Sequence, residues 1–290
     1  MAKIVLSRKG VDSSAGGKPS PWIDGMPLSL PIPQNGSGIR YRNIHTPLGI
    51  RANTLMRHLG FRCPGEAHLD PDLTWGSLAE RPSGWRPSFG QRGAALSHLM
   101  HHNIGPGDLF LFFGWFREVV KKGRQWHYLP KVEDVHLVYA YLEVGEVIDL
   151  TRESAPVWAA LHPHAVFQDM WQQGGNVLFV AVKESQWLPG WPGAGYFSPS
   201  PLILTDLSAE RVTRSQWALP DCFFKGENCR LSYHEKRIGK PHPTRKGMRQ
   251  LRSVARGQEF VIEADKQLMN WWCHHLRANL PSEKPGPEAS

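Results

Sequence analysis

The middle of the chain holds its most strand-like sequence. Residues 108–117 read Asp-Leu-Phe-Leu-Phe-Phe-Gly-Trp-Phe-Arg and follow a Gly-Pro-Gly turn. Residues 136–149 carry β-branched and aromatic side chains over enough length for one bent strand or two short ones. The basic, polar residues 121–127 are predicted to join the two runs as a hairpin. The remaining chain must pack against this pair, which predicts a β-rich core.

Shorter patterns add elements on either side of this core. Residues 19–37 and 63–90 are predicted to be irregular because they are rich in proline and glycine or are loop-like. Asp265 is suited to cap a last helix. Strands are predicted at residues 2–6, 176–182, 201–205 and 258–263, and helices near 54–59, 93–102, 155–161 and 265–278.

These elements define a fold class. We predict a mixed α+β protein built on a strongly bent or barrel-like mixed sheet, with short helices and long loops on one side. Residues 1–280 are predicted to form a single domain, because no segment resembles an interdomain linker. The tail 281–290, with Pro, Glu and Ser, is predicted to be disordered.

Composition bounds the cellular setting. No stretch approaches the roughly 18 apolar residues of a membrane span, so no membrane partner is expected. The chain start is not typical of a secretory signal, and the four cysteines show neither close pairing nor zinc-finger spacing. We therefore expect a cytoplasmic protein with reduced thiols.

The charge balance points to an anionic partner. The formal net charge is +8, and the excess is local: residues 1–65 hold nine Lys or Arg against two acids, and residues 230–256 hold nine against Glu235 alone. The chain also has twelve Trp, which offer aromatic surfaces. Nucleotides and nucleic acids are partners that such a chain favours.

The loop after the first predicted strand is one candidate site. Residues 7–17 combine Lys9 with Asp12, Ser13, Ser14 and several glycines. Glycine lets backbone N–H groups approach an anion, while hydroxyls donate to it and a cation supplies charge. The order of a Walker motif is absent. An ordinary solvated turn, with Asp12 capping its own backbone, is the other interpretation.

A second candidate is the segment His68-Leu-Asp70-Pro-Asp72. Alternation in an extended segment places the imidazole and both carboxylates on one side, which suits a metal ion or general acid–base chemistry. An Asx-turn with an exposed histidine fits the same residues. Other histidines, including His162 and His164, match no metal signature, so we assign structural roles to most of them and assign no metal site.

Two further groups can contact a base. Trp115 and Arg117 place an aromatic plane beside a guanidinium, which can stack a base and hold a phosphate, although the same residues suit a core with a snorkelling arginine. Gln258 and Glu259 can read a base edge by accepting and donating, or can form a surface turn.

Taken together, five motifs resemble the third type of nucleotide modification associated domain, and the resemblance runs from Lys3 to about Leu276. That family is grouped, by the genes that lie near its members, with phage and bacterial systems that alter DNA bases. The resemblance therefore implies involvement with nucleotides but specifies no reaction. The motifs are Ser-Arg-Lys-Gly-x-Asp-Ser-Ser-x-Gly-Gly-x-Pro-Ser-Pro at 7–21, Leu-Pro-Ile-Pro at 30–33, His-x-Asp-Pro-Asp at 68–72, Gly-Asp-Leu-Phe-Leu-Phe-Phe-Gly-Trp-Phe-Arg at 107–117 and Gly-Gln-Glu-Phe at 257–260.

The central hairpin carries a second resemblance. Gly-Asp-Leu-Phe-Leu-Phe-Phe followed by a strand such as Tyr139 to Val147 looks like the barrel core of pseudouridine-synthase-and-archaeosine-transglycosylase-like (PUA-like) domains. Such domains handle modified bases in an aromatic pocket. The extra length and the large N-terminal section of this chain depart from their compact pattern.

We expect these segments to meet in one basic, aromatic-lined cleft that holds a nucleotide or a nucleic-acid base. The expected function is an enzyme on a nucleotide: a transferase, a hydrolase or a lyase. The alternatives are a non-catalytic reader of modified bases and a nuclease that binds Mg²⁺ at Asp70 and Asp72. The sequence specifies neither a cofactor nor an oligomeric state. The nucleotide-binding residues would be Lys9, Ser13, Ser14, Trp115, Arg117, Gln258 and Glu259, and the catalytic residues Asp12, His68 and Asp70.

Overall fold

A computed structural model describes residues 2–62, 65–197, 202–254, 258–278 and 280. Within these ranges the chain forms eighteen strands and four α-helices. The helices are α1 (Ala52–His58), α2 (Gly93–His101), α3 (Pro163–Val166) and α4 (Lys266–Ala278). The strands are β1 (Lys3–Arg8), β2 (Ser20–Ile23), β3 (Met26–Pro27), β4 (Ile32–Pro33), β5 (Ala67–His68), β6 (Ser88–Arg92), β7 (Leu109–Lys122), β8 (Gln125–Tyr128), β9 (Val135–Asp149), β10 (Asn176–Ala181), β11 (Ala194–Tyr196), β12 (Leu202–Ile203), β13 (Gln216–Pro220), β14 (Phe224–Lys225), β15 (Asn228–Cys229), β16 (Lys240–Pro241), β17 (Met248–Arg252) and β18 (Glu259–Glu263).

The largest sheet is built around the two central strands. Its main path has the order β18-β1-β7-β9-β10-β6, in which β1 runs parallel to β7 and the other neighbouring pairs are antiparallel. β9 is a single strand of 15 residues, so this part of the chain forms one strand and not two short ones. Five shorter strands extend the path, and the tip of the β7–β8 hairpin falls within residues 121–127. The predicted mixed α+β class is confirmed.

One face of this sheet encloses an aromatic core. All six strands of the path contribute, and the phenylalanine rings pack edge to face, tilted or stacked at centroid distances of 5.0–6.1 Å. Side chains of the end strands β6 and β18 meet at 2.6 Å, so the sheet is bent, but it does not close into a barrel. The PUA-like core therefore stays a prediction. The central members of this core are Val5, Phe89, Phe110, Phe112, Leu137, Phe179 and Val261.

The opposite face packs against the C-terminal part of the chain. Leu111 and Phe113 of β7 lie in one cluster with Trp217 of β13 and with the buried residues of α4. The Asp265 carboxylate accepts a hydrogen bond from the Leu268 N–H at 2.9 Å, so α4 begins where the sequence predicted it.

The N-terminal residues form a layer over the β7–β8 hairpin. Leu55 and Met56 of α1 are buried in a cluster that also contains Val119, with Trp126 and Tyr128 packed against it. β4 and β5 pair within this layer, with Ile32 opposite His68. The chain then runs along β6, where the main-chain groups of Asp72 and Ser88 exchange two hydrogen bonds of 2.9 Å. This pairing places the segment 68–72 beside the edge of the main sheet.

The predicted helix 155–161 is wrong. The chain forms a 3-10 turn at Val157–Ala159, and α3 begins only at Pro163. The reason is local: Pro156 has the extended angles φ −62° and ψ 147°, and His162, which precedes a proline, has φ −73° and ψ 132°, so too few residues lie between them for an α-helix. This break places His162 and His164 around a tight helix start.

Two other segments differ from the expected irregular structure, since residues 19–37 contain three short strands and residues 63–90 contain β5 and the start of β6. The predicted tail 281–290 lies outside the described residues, and the single domain over 1–280 stays a prediction. Among the described residues, no helix has the length and apolar character needed to cross a bilayer.

Candidate functional site

Four side chains form a buried cluster beside β6, which we call the histidine–aspartate cluster: His68, Asp70, His162 and His164. The Asp70 Oδ2 atom lies 3.5 Å from His68 Nε2 and 3.9 Å from His164 Nε2. The Asp70 Oδ1 atom lies 3.4 Å from His162 Nε2 and accepts the Gly90 N–H at 2.8 Å. His68 is the most exposed member at 13%, against 2–4% for the others. Access to the cluster is therefore past His68.

Three parts of the chain deliver these groups. β5 carries His68, the segment after β5 carries Asp70, and the start of α3 carries His162 and His164. The His164 ring lies against Gly90 so closely that a Cβ atom there would come within 2.2 Å of the ring. Glycine at this position is thus required for the ring to reach Asp70.

Electrostatics inside the cluster favour a charged carboxylate. Burial acts to raise the pKa of Asp70, but the contacts with His162 and His68 bring that pKa well below its ordinary value. Burial lowers the pKa of His164 to about 3, despite the attraction of Asp70. At neutral pH the cluster therefore contains an ionised Asp70 beside a neutral His164.

An aromatic ring and an arginine border the cluster. The Trp171 ring lies 5.0 Å from His164 and 6.2 Å from His68, measured between ring centroids. The exposed Arg92 places its guanidinium 4.7 Å from the centre of the Trp171 ring. Phe167 stacks on the same Trp171 ring, with the two ring centroids 4.9 Å apart. An exposed cation therefore lies at the border of a buried acid–base group.

Two grooves are lined mainly by residues of the N-terminal layer and by no residue of the cluster. A groove of about 560 Å³ is lined by Arg40, Arg42 and Glu66, among others, and a groove of about 530 Å³ is lined by Arg42 and Arg51. Within the described chain these three arginines pair with no carboxylate. Glu66 precedes His68 by two residues, so the first groove adjoins the segment that enters the cluster.

Lys9 and Glu259 meet at a second place. The Lys9 Nζ atom lies 3.0 Å from Glu259 Oε1 and 4.4 Å from the centre of the Phe89 ring. Gln91 donates to the same Oε1 at 2.6 Å, and among the described residues the buried Glu259 Oε2 has no hydrogen-bond partner. Gln258 is exposed, and its carbonyl accepts the Arg8 N–H. The charges of Lys9 and Glu259 thus face each other inside the sheet.

The N-terminal loop makes mostly local contacts. The Asp12 Oδ1 atom accepts from the Ser14 N–H, the Ser14 hydroxyl and the Ala15 N–H at 2.7–2.8 Å. Burial acts to raise the pKa of Asp12, but these hydrogen bonds bring it below its ordinary value. Ser13 accepts from Arg214 at 2.6 Å. This is the self-capped turn that was the alternative interpretation of the loop.

Trp115 and Arg117 lie away from the histidine–aspartate cluster. Trp115 follows Phe113 by two residues on β7, and the Arg214 guanidinium lies 4.0 Å from the centre of its ring. Arg117 donates to Asp134 at 2.5 Å, near the β7–β8 hairpin. The predicted residues therefore occupy several places, of which one contains both His68 and Asp70.

Asp72 has a different environment from Asp70. Both of its carboxylate oxygens accept from the Arg81 guanidinium, the Nη2–Oδ1 distance being 2.7 Å, and Trp85 Nε1 donates to it at 3.1 Å. The Arg81 side chain is fully buried. A shared Mg²⁺ site of Asp70 and Asp72 would have to compete with this ion pair.

Sequence reasoning left out several residues of the cluster and its border. We expected His162 and His164 to be structural, and Gly90, Arg92 and Asn176 carried no signal. The available signal was the His-Pro-His order at 162–164, since a proline in a short turn can present the flanking side chains together. Contacts over about 90 residues of chain separation are not visible in such a pattern.

The fold and the cluster together define a mixed α+β protein with a buried histidine–aspartate site beside a bent sheet. The family model described as "Nucleotide modification associated domain 3" matches residues 3–263 of the chain, which belongs to this family. The resemblance stated from the motifs is thereby confirmed. No curated protein and no solved structure matches the chain. The family description associates the protein with nucleotide modification and names no reaction.

Proposed function

We propose that this protein is an enzyme that modifies the base of a nucleotide or of a nucleic acid, with the histidine–aspartate cluster as its catalytic centre. The observation that carries the proposal is the contact of a buried, charged Asp70 with several imidazoles, of which His68 is the accessible one. An imidazole oriented by a carboxylate is a common general acid or base. His68 would exchange a proton with the substrate through Nε2, and Asp70, whose Oδ2 atom lies 3.5 Å from Nε2, would stabilise the charged imidazole.

The surroundings of the cluster support an anionic, planar substrate. Arg92 offers a guanidinium plane that can stack on a base and N–H donors that can bind a phosphate. Arg40 and Arg42 line the groove that adjoins β5, where they can contact further phosphates of a polymer. Lys9, Glu259 and Arg117 are engaged in ion pairs, so the proposal gives them no contact with the substrate.

The test is a product analysis with the full chain. The protein is incubated with mononucleotides, single-stranded DNA, duplex DNA and RNA, and the nucleosides are then analysed by mass spectrometry. We expect a base of altered mass with the wild type and none with His68→Gln. His101→Gln, which changes an exposed histidine of α2, is the matched control and should retain the activity.

Binding is measured in parallel by fluorescence anisotropy with labelled oligonucleotides. Arg92→Ala and Arg42→Ala should each weaken binding about tenfold, the loss of about 1.4 kcal/mol for one charged hydrogen bond. Lys122→Ala, at the exposed tip of the β7–β8 hairpin, should leave it unchanged. Binding without any altered base would establish a reader, and absence of binding by every nucleotide and polymer would refute the proposal.

A further inference from the structure

The histidine–aspartate cluster has the spacing of a metal site. One donor atom from each of His68, Asp70 and His164 lies within 4.8 Å of the other two. Donors that bind one ion at about 2.0–2.2 Å lie about 3.0–3.6 Å from each other. The measured 3.5 Å and 3.9 Å from Asp70 Oδ2 to the two imidazoles are close to this range. Because all three donors lie within 4.8 Å of one another, shifts of about 1 Å would bring them into this range.

The tautomer of His164 is fixed by its neighbour. Asn176 Nδ2 donates to the His164 carbonyl at 2.9 Å, which identifies Asn176 Oδ1 as the acceptor for His164 Nδ1 at 2.6 Å. The ring proton therefore lies on Nδ1, and Nε2 presents a lone pair. Asp70 Oδ2 lies 3.9 Å from this nitrogen, and a cation between the two acceptors would bind to both.

One oxygen of the Asp70 carboxylate is held by the main chain. The His164 N–H donates to His162 Nδ1 at 3.2 Å, and His162 Nε2 lies 3.4 Å from Asp70 Oδ1 without forming a hydrogen bond to any described residue. Gly90 donates to the same oxygen. Oδ2 is left to face His68 and His164. Outer hydrogen bonds that orient ligand imidazoles and carboxylates are characteristic of metal centres.

We propose that His68, Asp70 and His164 bind one divalent first-row transition-metal ion through the two Nε2 atoms and Asp70 Oδ2. Two neutral imidazoles and one carboxylate suit Zn²⁺, Fe²⁺ or Mn²⁺ better than Mg²⁺ or Ca²⁺, which prefer oxygen ligands. Three protein ligands leave coordination positions open on the accessible side, where His68 is the exposed member. Those positions can hold water or a substrate atom.

This inference rests on the centre of the proposed function and gives His68 the role of a ligand in place of an acid or base, because an Nε2 atom that binds a metal ion cannot also exchange a proton. Its test needs no nucleotide. If the ion binds and no nucleotide does, the proposed function fails and the metal site stands. If a base is altered by protein that binds no ion, the metal site fails and acid–base catalysis by the side chains stands.

The experiment is a metal titration of the full chain after removal of ions with a chelator. Co²⁺ is added first, because its visible absorption reports low coordination number and imidazole ligation, and Zn²⁺ is then used to displace it. We expect one ion per chain. His68→Gln and His164→Ala should each weaken binding at least 100-fold, and His101→Ala, an exposed histidine of α2, should not change it.

Folding of each variant is checked by thermal unfolding without metal. His68→Gln changes a partly exposed side chain, so it keeps the test valid if His164→Ala does not fold. Asn176→Leu should weaken binding ten- to hundredfold and Asn176→Asp should restore much of it, because an acceptor for His164 Nδ1 is kept. Equal affinity of the wild type and His68→Gln, or no bound ion at all, would overturn the proposal.

Discussion

Gln91 and Glu259 lie 168 residues apart and hydrogen-bond at 2.6 Å between β6 and β18, the two end strands of the main sheet path. Lys9 contacts the same carboxylate oxygen at 3.0 Å. The two end strands of the bent sheet are therefore joined by side chains, although their main chains do not pair with each other. Because Gly90 and Gln91 are consecutive, β6 also links this contact to Asp70.

Removal of the Glu259 carboxylate should destabilise the fold. Glu259→Leu leaves the Lys9 side chain, which is 10% exposed, without its partner. We expect the free energy of unfolding to fall by about 3 kcal/mol, as for other broken buried ion pairs. The free energy of unfolding from urea titration checks this. Glu146→Leu, whose pair with Arg86 is 41–48% exposed, should change it by less than about 1 kcal/mol. Equal effects would show that the edge contact contributes no special stability.

A methyl group at Gly90 should displace His164. Gly90→Ala places a Cβ atom 2.2–2.7 Å from three ring atoms of the imidazole, so we expect a loss of about 1–3 kcal/mol in stability and a weakened site. Gly105→Ala is the control, since its Cβ atom would meet no neighbour within 4 Å. Unfolding curves of both variants provide the measurement. A Gly90→Ala protein of wild-type stability would contradict the close approach of the two residues.

The buried pair of Arg81 and Asp72 should be costly to break. Arg81→Met leaves an unpaired carboxylate that is 4% exposed, and we expect a loss of about 3–5 kcal/mol. Asp72→Leu combined with Arg81→Met should recover much of it, because neither charge is then left alone. A double-mutant cycle measures the coupling. Additive losses would mean that the two side chains do not interact.

His136 should make the protein less stable in mild acid. Burial lowers the pKa of His136 to about 3, with a smaller contribution from Arg214, so the native state takes up no proton here until well below the unfolded value of 6.5. The unfolded state binds more protons between these values, and stability falls as the pH decreases. For one such group the loss from pH 7 to pH 5 is at most about 2 kcal/mol.

The variant His136→Gln tests this assignment. Its side-chain oxygen can accept the Trp217 Nε1–H, which His136 Nδ1 accepts at 3.2 Å in the wild type. Denaturant unfolding of both proteins at pH 7 and pH 5 should show a smaller loss in the variant. An equal loss in both would place the pH dependence on other groups.

The sequence by itself determined the elements and the polar segments. The two central strands, α2 and the capped start of α4 follow from side-chain periodicity and from Asp265, which act over a few residues. The pair His68 and Asp70 was also visible, because two residues of separation in an extended segment place both side chains on one side.

Only the tertiary structure decided which distant groups meet. Asp70 contacts His162 and His164 because α3 begins after the extended His162 and packs against Gly90, and Lys9 contacts Glu259 because the sheet places β18 beside β1. For the same reason Trp115 contacts Arg214 and Arg117 contacts Asp134, away from the histidine–aspartate cluster. Local sterics fix a strand or a helix, whereas a contact over 90 or 250 residues depends on strand order and on the bend of the whole sheet.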